Sequence, residues 1–366
     1  RGLTDEQLPV LFARLEAIGM ARPGAELARD VEKKLSTYVR DPIVTVIVTS
    51  FIGPYSEQIR VVGEAAKPQF LPFKQKMTVL DVMIAAGTES MSVMPQIMGN
   101  KVSLNPAIFA HEENVGIAYG MGLTAEKVAN QWKVTREAQD AFAVESHRRA
   151  LAAQAAGDFA AEITPVEVVD RSPNLETGEV IEKRRTVSMD EGARADTTLE
   201  GLGKLRTVFA ARGSVTAGNS SQTSDGAGAL ILVSEKAIKQ YGLTPLARFV
   251  SYASKGVPPS IMGIGPIEAI PAALRYAGLK QDDIDWFELN EAFAAQSLAV
   301  INTLGLDIAK VNPMGGAIAL GHPLGATGAM RSATAIHALQ RNKLKYAMVT
   351  MCVGMGQGAA GILERV

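Results

Sequence analysis

Three residues of this chain combine a reactive side chain with a setting that suits chemistry. His322 stands between Gly321 and Pro323 in the run Asn312 to Gly328, which holds five glycines. Glycines let backbone approach a ligand closely. A histidine just ahead of a helix start can donate a hydrogen bond to a developing oxyanion. The competing reading is a loop histidine of no consequence. Cys352, the only cysteine, ends the apolar strand pattern before Val353-Gly-Met-Gly-Gln-Gly. A thiol at such a strand-to-loop edge is accessible and works as acid, base or nucleophile. The alternative is a buried small hydrophobe, the commoner fate of a lone cysteine. Asn290, in Glu288-Leu-Asn-Glu-Ala-Phe, sits at a strand-to-helix junction. It reads by default as an N-cap, or else as the holder of an active-site water. His111, His147 and His337 lie on polar or helical stretches and read as surface residues.

The pattern after residue 245 alternates strand and helix, as a layered α/β sheet requires. A helix over 267–277 ends at Gly278, a strand follows at 284–289, and a helix at 291–304. The glycine-rich stretch 313–328 leads into a helix ending near Asn342, and strands at 345–352 and 359–364 close the chain. Upstream, Thr124 to Ala155 reads as two helices, the second capped by Thr135 with Glu137 in its first turn. Residues 163–200 are polar and turn-rich, a surface excursion.

The first 87 residues have another character. Leu8, Leu11, Leu15 and Ile18, then Leu27, Val31 and Leu35, recur at helix spacing. The β-branched run from Ile43 and the segment Ile59-Arg-Val-Val-Gly read as strands. Thr78 with Asp81 signals a helix over 79–86. The result is a small α+β module without histidine or cysteine.

Composition removes several classes of function. A net charge of −1, from 37 basic and 38 acidic side chains, provides no global field for nucleic acid or an anionic membrane. No apolar run approaches the roughly 20 residues of a membrane helix. One cysteine excludes an internal disulfide framework and a cysteine-cluster metal site. A cytoplasmic protein is expected.

Two resemblances add to these readings. Glu89-Ser-Met-Ser, Gly120-Met-Gly-Leu-Thr-Ala-Glu, Gly218-Asn-Ser-Ser-Gln-Thr-Ser-Asp-Gly-Ala, Met262-Gly-Ile-Gly-Pro, Asn290-Glu-Ala-Phe, Gly321-His-Pro and Cys352 follow one another as in the thiolases. These are acyltransferases acting on 3-ketoacyl-CoA. The resemblance covers residues 88–366 and implies a layered α/β fold. It divides into a loop domain with the remnant of the N-terminal half-domain (88–250) and the C-terminal half-domain (251–366). Segments within 20–87, including Tyr38-Val-Arg-Asp-Pro-Ile-Val and Ile59-Arg-Val-Val-Gly-Glu-Ala-Ala-Lys-Pro, resemble outer-membrane polysaccharide export proteins. With both resemblances taken together, a chimera joined near Ala85-Ala86-Gly87-Thr88 is expected.

The thiolase resemblance implies specific roles. His322 assists the nucleophile and helps form one oxyanion hole, and Asn290 holds the water completing it. The Gly354 amide contributes to a second hole, and Cys352 shuttles the proton of the acetyl-CoA carbanion or the CoA thiol. Ser251 and Arg206 resemble CoA contacts, and Met121 lines the acyl pocket. Coenzyme A is a substrate, and neither cofactor nor metal is implied. The family's nucleophilic cysteine precedes the Glu-Ser-Met segment, where residues 1–87 hold none. The fold is therefore expected to be incomplete and the chain inactive. The alternatives are a non-catalytic CoA-binding remnant or an export component. The family forms homo-oligomers through a region expected to be missing, so a dimer is not assumed.

Overall fold

The computed structural model describes residues 58–60, 70–72, 82–92 and 105–366. The helices expected within 5–39 and the strand from Ile43 lie outside them. The chain divides into two units, Arg1–Lys76 and Met77–Val366. In the first, strands β1 (Gln58–Arg60) and β2 (Phe70–Pro72) pair antiparallel, Ile59 opposite Leu71.

The second unit is built on a four-stranded sheet. Its strands are β7 (Ala247–Gly256), β8 (Trp286–Leu289), β9 (Tyr346–Val353) and β10 (Gln357–Arg365), in the order β7-β10-β9-β8. β8 and β9 run parallel, and the other pairs are antiparallel. Helices α5 (Gly265–Ala277) and α6 (Ala294–Leu304) cover one face. Ile270, Leu274, Phe287, Val300, Met348 and Ile362 pack together there as a buried cluster. Helix α8 (Thr327–Asn342) covers the other face, where Ala335, Ala338 and Leu339 meet Trp286, Ala347 and Val349. The far side of α8 carries a second layer, strands β3 (Val82–Ser90) and β6 (Asp225–Val233). Two sheets thus sandwich one helix, an α/β layering.

β3 replaces the helix expected over 79–86. The local signal at Thr78 lies outside the described residues, and from Val82 onward the chain is extended. Tertiary pairing overrides propensity here. Nine residues align with β6, from Val82 opposite Val233 to Ser90 opposite Asp225. The close fit to α8 also demands a strand with glycine. A Cβ on Gly87 would collide with the carbonyl oxygen of Gly325, and Gly228 lies against Met330.

The remaining elements follow the sequence closely. Helices α1 (Met121–Gln131) and α2 (Arg136–Ala156) fill 121–156, and Thr135 caps the second by accepting from Ala138 N at 3.2 Å. The polar excursion contains a two-stranded arm, β4 (Val166–Pro173) with β5 (Val180–Val187), exposed along most of its length. Two short helices, α3 (Leu199–Gly203) and α4 (Glu235–Tyr241), flank β6 in sequence. One histidine is misplaced by the sequence reading. His147 is buried on α2, and its Nδ1 accepts from Arg194 N at 3.1 Å. Burial lowers its pKa. His111 is exposed, and His337 is half-buried.

Candidate active site

The site lies where the parallel strands β8 and β9 end together. Leu289 pairs with Thr350, so Asn290 and Cys352 leave the same sheet edge on neighbouring strands. Helix α6 starts at Ala294 with Phe293 as its cap, so Asn290 is not an N-cap. It belongs to a tight connection, and both of its own backbone groups are hydrogen-bonded. Asn290 N donates to Thr350 O at 2.9 Å, and Gln296 Nε2 donates to Asn290 O at 3.2 Å.

Asn312 holds this connection from behind. Its Oδ1 accepts from Leu289 N and its Nδ2 donates to Leu289 O, at 2.9 and 2.8 Å. The side chain thereby continues the sheet ladder by one rung. The same Nδ2 reaches Glu291 Oε1 at 2.8 Å. Glu291 is fully buried and also accepts from Ser146 Oγ at 2.6 Å and from Ile318 N at 3.2 Å. Burial raises its pKa. Through Ile318 it anchors α7 (Ala317–Leu320), the short helix that delivers Gly321 and His322.

Gly321 turns the chain out of that helix with φ of +92°, and a Cβ there would collide with Ser224 Oγ. His322 N donates to Gln222 O at 3.1 Å. Gln222 in turn straps the loop down, its Nε2 donating to Gly192 O and Ile318 O at 2.8 and 3.0 Å. The His322 ring is thereby brought to Asn290, with Nε2 3.2 Å from Asn290 Nδ2. Its Nδ1 lies 2.7 Å from Thr327 Oγ1. Burial, followed by the charge of Arg331, lowers the pKa of His322 to about 4, so the ring is neutral at pH 7. The Oδ1 of Asn290 is buried with no protein partner. Such an atom calls for a water or a ligand group.

Cys352 is buried, contrary to the accessible thiol expected at a strand end. Ala125, Val215, Met262, Ala292 and Phe293 pack around it. This desolvation pushes the thiol up to about 12, so it is neutral and bears a proton. Gly354 opens the turn that follows; it is exposed, and nothing stands within 4 Å of where its Cβ would be. Phe293 stacks edge-on with Phe209, centroids 6.1 Å apart. Phe209 is half-exposed and rests on Gly122, next to the exposed Met121. Phe209 and Phe293 thus link Gly122, beside Met121, to the apolar cluster that holds the thiol.

The other two expected residues do not join this cluster. Ser251 is buried in β7 and its Oγ donates to Ala273 O at 2.9 Å, so its hydroxyl ties the sheet to α5. Arg206 is exposed and makes no ion pair among the described residues. The sequence reading missed Thr327, Asn312, Gln222 and Glu291 as positioning groups. The pairing of Glu291 with the NEAF-type Asn290 was the available signal for one of them. No group of three or more His, Cys, Asp or Glu able to hold a metal occurs among the described residues. None of their helices is long and apolar enough to cross a membrane.

Comparison with known proteins shows what the chain as a whole is similar to. A family model described as thiolase, N-terminal domain, matches residues 76–236, and one described as thiolase, C-terminal domain, matches 243–365. The 3-ketoacyl-CoA thiolase of Bacillus subtilis (strain 168) is 45% identical over 348 residues, which is 95% of this chain and 86% of that protein. The peroxisomal 3-ketoacyl-CoA thiolase 1 of Arabidopsis thaliana is 49% identical over 78% of this chain, and the chain spans 63% of its length. The crystal structure of human mitochondrial 3-ketoacyl-CoA thiolase superimposes with a TM-score of 0.68 at 44% identity, covering 78% of this chain and 72% of that one. The N-terminal match begins at 76, inside the segment that resembles export proteins. A chimera joined near residue 88 and a wholesale loss of the N-terminal domain are therefore not supported.

Proposed function

This chain belongs to the thiolase family, and on that premise we propose that its Asn290–His322–Cys352 cluster is the acid/base part of a site for thiolysis of 3-ketoacyl-CoA. One observation carries the reading. Asn290, joined to the neutral ring of His322, and the neutral thiol of Cys352 stand on adjacent strands at the same sheet edge.

The chemistry follows from the protonation states. The His322 ring can accept a proton from a substrate thiol and then donate to the oxyanion that forms. Asn290 Oδ1, buried and unpartnered, suits a water that supplies a second donor. A thiol at about 12 retains its proton at pH 7 and can give it to the far more basic carbanion of departing acetyl-CoA. The uncovered backbone at Gly354 suits a second oxyanion hole, and Met121 with Phe209 suits the acyl chain. Arg206, exposed and uncommitted, suits the CoA phosphates.

Covalent acyl transfer needs a nucleophilic cysteine besides the acid/base one. These 366 residues contain one cysteine, and it occupies the acid/base place. We read the chain as carrying out little thiolysis by itself. The test is thiolysis of acetoacetyl-CoA by the whole chain, with intact-mass detection of an acyl adduct. Turnover and adduct should both be absent. Turnover at an ordinary thiolase rate, abolished by His322→Ala, would show that the 366 residues suffice.

A further inference from the structure

His322 makes two ring contacts, and their donors can be worked out from hydrogen count. A neutral imidazole carries one ring proton, so one nitrogen donates and the other accepts. Nδ1 faces Thr327 Oγ1 at 2.7 Å. That hydroxyl also lies 2.8 Å from the carbonyl oxygen of Pro323. It has a single hydrogen to give.

Suppose the hydroxyl donated to Nδ1. Two oxygens would then stand 2.8 Å apart with lone pairs opposed and no hydrogen between them. Suppose instead that it donates to Pro323 O. Then Nδ1–H donates to Oγ1, and both short contacts are satisfied. Nε2 is left as an acceptor, which is what the Asn290 Nδ2 donor at 3.2 Å requires. Turning the Asn290 amide over would allow a proton on Nε2, but would not repair the Thr327–Pro323 contact.

Thr327 is 1% exposed and is the first residue of α8, so its hydroxyl is shielded from bulk solvent. We propose that Thr327 is a positioning residue that fixes His322 as the Nδ1–H tautomer, keeping the Nε2 lone pair for the reacting thiol. When a substrate S–H transfers its proton to Nε2, the S–H bond breaks and the N–H bond forms. The Nδ1–H···Oγ1 bond survives this step unchanged. At rest the single Nε2 lone pair accepts from Asn290 Nδ2, so that bond must break for Nε2 to take the proton; the ring itself need not reorient to present Nε2–H to the oxyanion.

The inference deepens the proposed acid/base role of His322, yet its test reads the ring directly and needs no turnover. The whole chain is labelled with 15N-histidine, and ring tautomers are read from long-range 1H–15N correlations at neutral pH. His322→Gln identifies the resonances among the four histidines. In the wild type, Nδ1 should be protonated and Nε2 bare. Thr327→Ser keeps the hydroxyl and should keep that state. Thr327→Val and Thr327→Ala remove the acceptor, and the tautomer ratio should move about tenfold toward Nε2–H. A wild-type ring protonated on Nε2 overturns the proposal, whether or not the valine variant folds. So does a folded Thr327→Val or Thr327→Ala protein with an unchanged tautomer.

Discussion

Cys352 should be among the slowest thiols to alkylate, and because it is the only one the experiment is free of background. The reagent is iodoacetamide at pH 8, and the control is the same chain unfolded in urea. Thiolate is the reacting species. Burial moves the group from 9.0 to about 12. At pH 8 the thiolate fraction therefore falls from roughly one in ten to roughly one in ten thousand, about a thousandfold. A more basic thiolate is also a better nucleophile, with a Brønsted coefficient near 0.4–0.5, which returns about 15- to 30-fold over three units. Ionisation alone then slows labelling by about 30- to 60-fold, and burial of Cys352 in one cluster with Phe293 and Met262 adds to this. Intact mass against time gives both rates. The native rate should rise about tenfold per pH unit for as long as the fold persists. Native labelling within about fivefold of the urea control would mean an exposed or activated thiol, and the acid/base assignment of Cys352 would fail.

Other perturbations test the surroundings of the site. Burial raises Glu162 to about 7; its Oε1 accepts from Thr334 Oγ1, and its Oε2 has no partner. A carboxyl with a raised folded pKa contributes stability that is complete below about 4.5 and is lost as pH rises through 7. Glu162→Gln should therefore gain on the wild type by on the order of 3 kcal/mol between pH 4.5 and 8, read as a pH-dependent difference in melting temperature; a constant difference would refute it. His322 runs the other way. Its depressed pKa makes its contribution complete above 6.5 and lost as pH falls toward 4, so His322→Asn should flatten the acid side of the stability profile. Glu291→Ala strands Ser146, Asn312 and Ile318 N and should cost about 3 kcal/mol in urea unfolding. Gly321→Ala meets both φ of +92° and the Ser224 hydroxyl, and should cost at least about 1–2 kcal/mol while displacing His322.

The sequence carried the site's chemistry better than its setting. His322 could be singled out by its glycine-rich run, Asn290 and Cys352 by their places at strand ends, and Thr135 because capping is local. What failed depended on distant partners. β3 becomes a strand through β6, with Thr88 and Gly226 separated by 138 positions. Cys352 is buried by residues from four other segments. His147 sits on a helix whose polar look conceals a buried face toward Arg194. Ser251 lies beside exposed Tyr252 in an alternating strand, and only the position of α5 shows which face is covered. Thr327 reads as an ordinary helix start, and its importance appears only when the hydrogens around His322 are counted.

The span of these contacts also bears on the order in which the molecule assembles. Several of the bonds that fix Asn290 and His322 close short distances in sequence, 23 positions from Leu289 to Asn312 and 5 from His322 to Thr327, although the strap from Gln222 comes from far upstream. The contacts that seat β3 close 138 positions to Gly226 and 236 from Glu89 to Gly325. Loop-closure entropy grows with length, and contacts between distant segments form slowly. The last 80 or so residues should therefore condense early, with β3 docking onto α8 as a late event. In pulse-labelled hydrogen exchange during refolding, amides around Asn290 and Thr350 would gain protection ahead of those of β3. The reactive edge would exist before the outer layer that closes over α8.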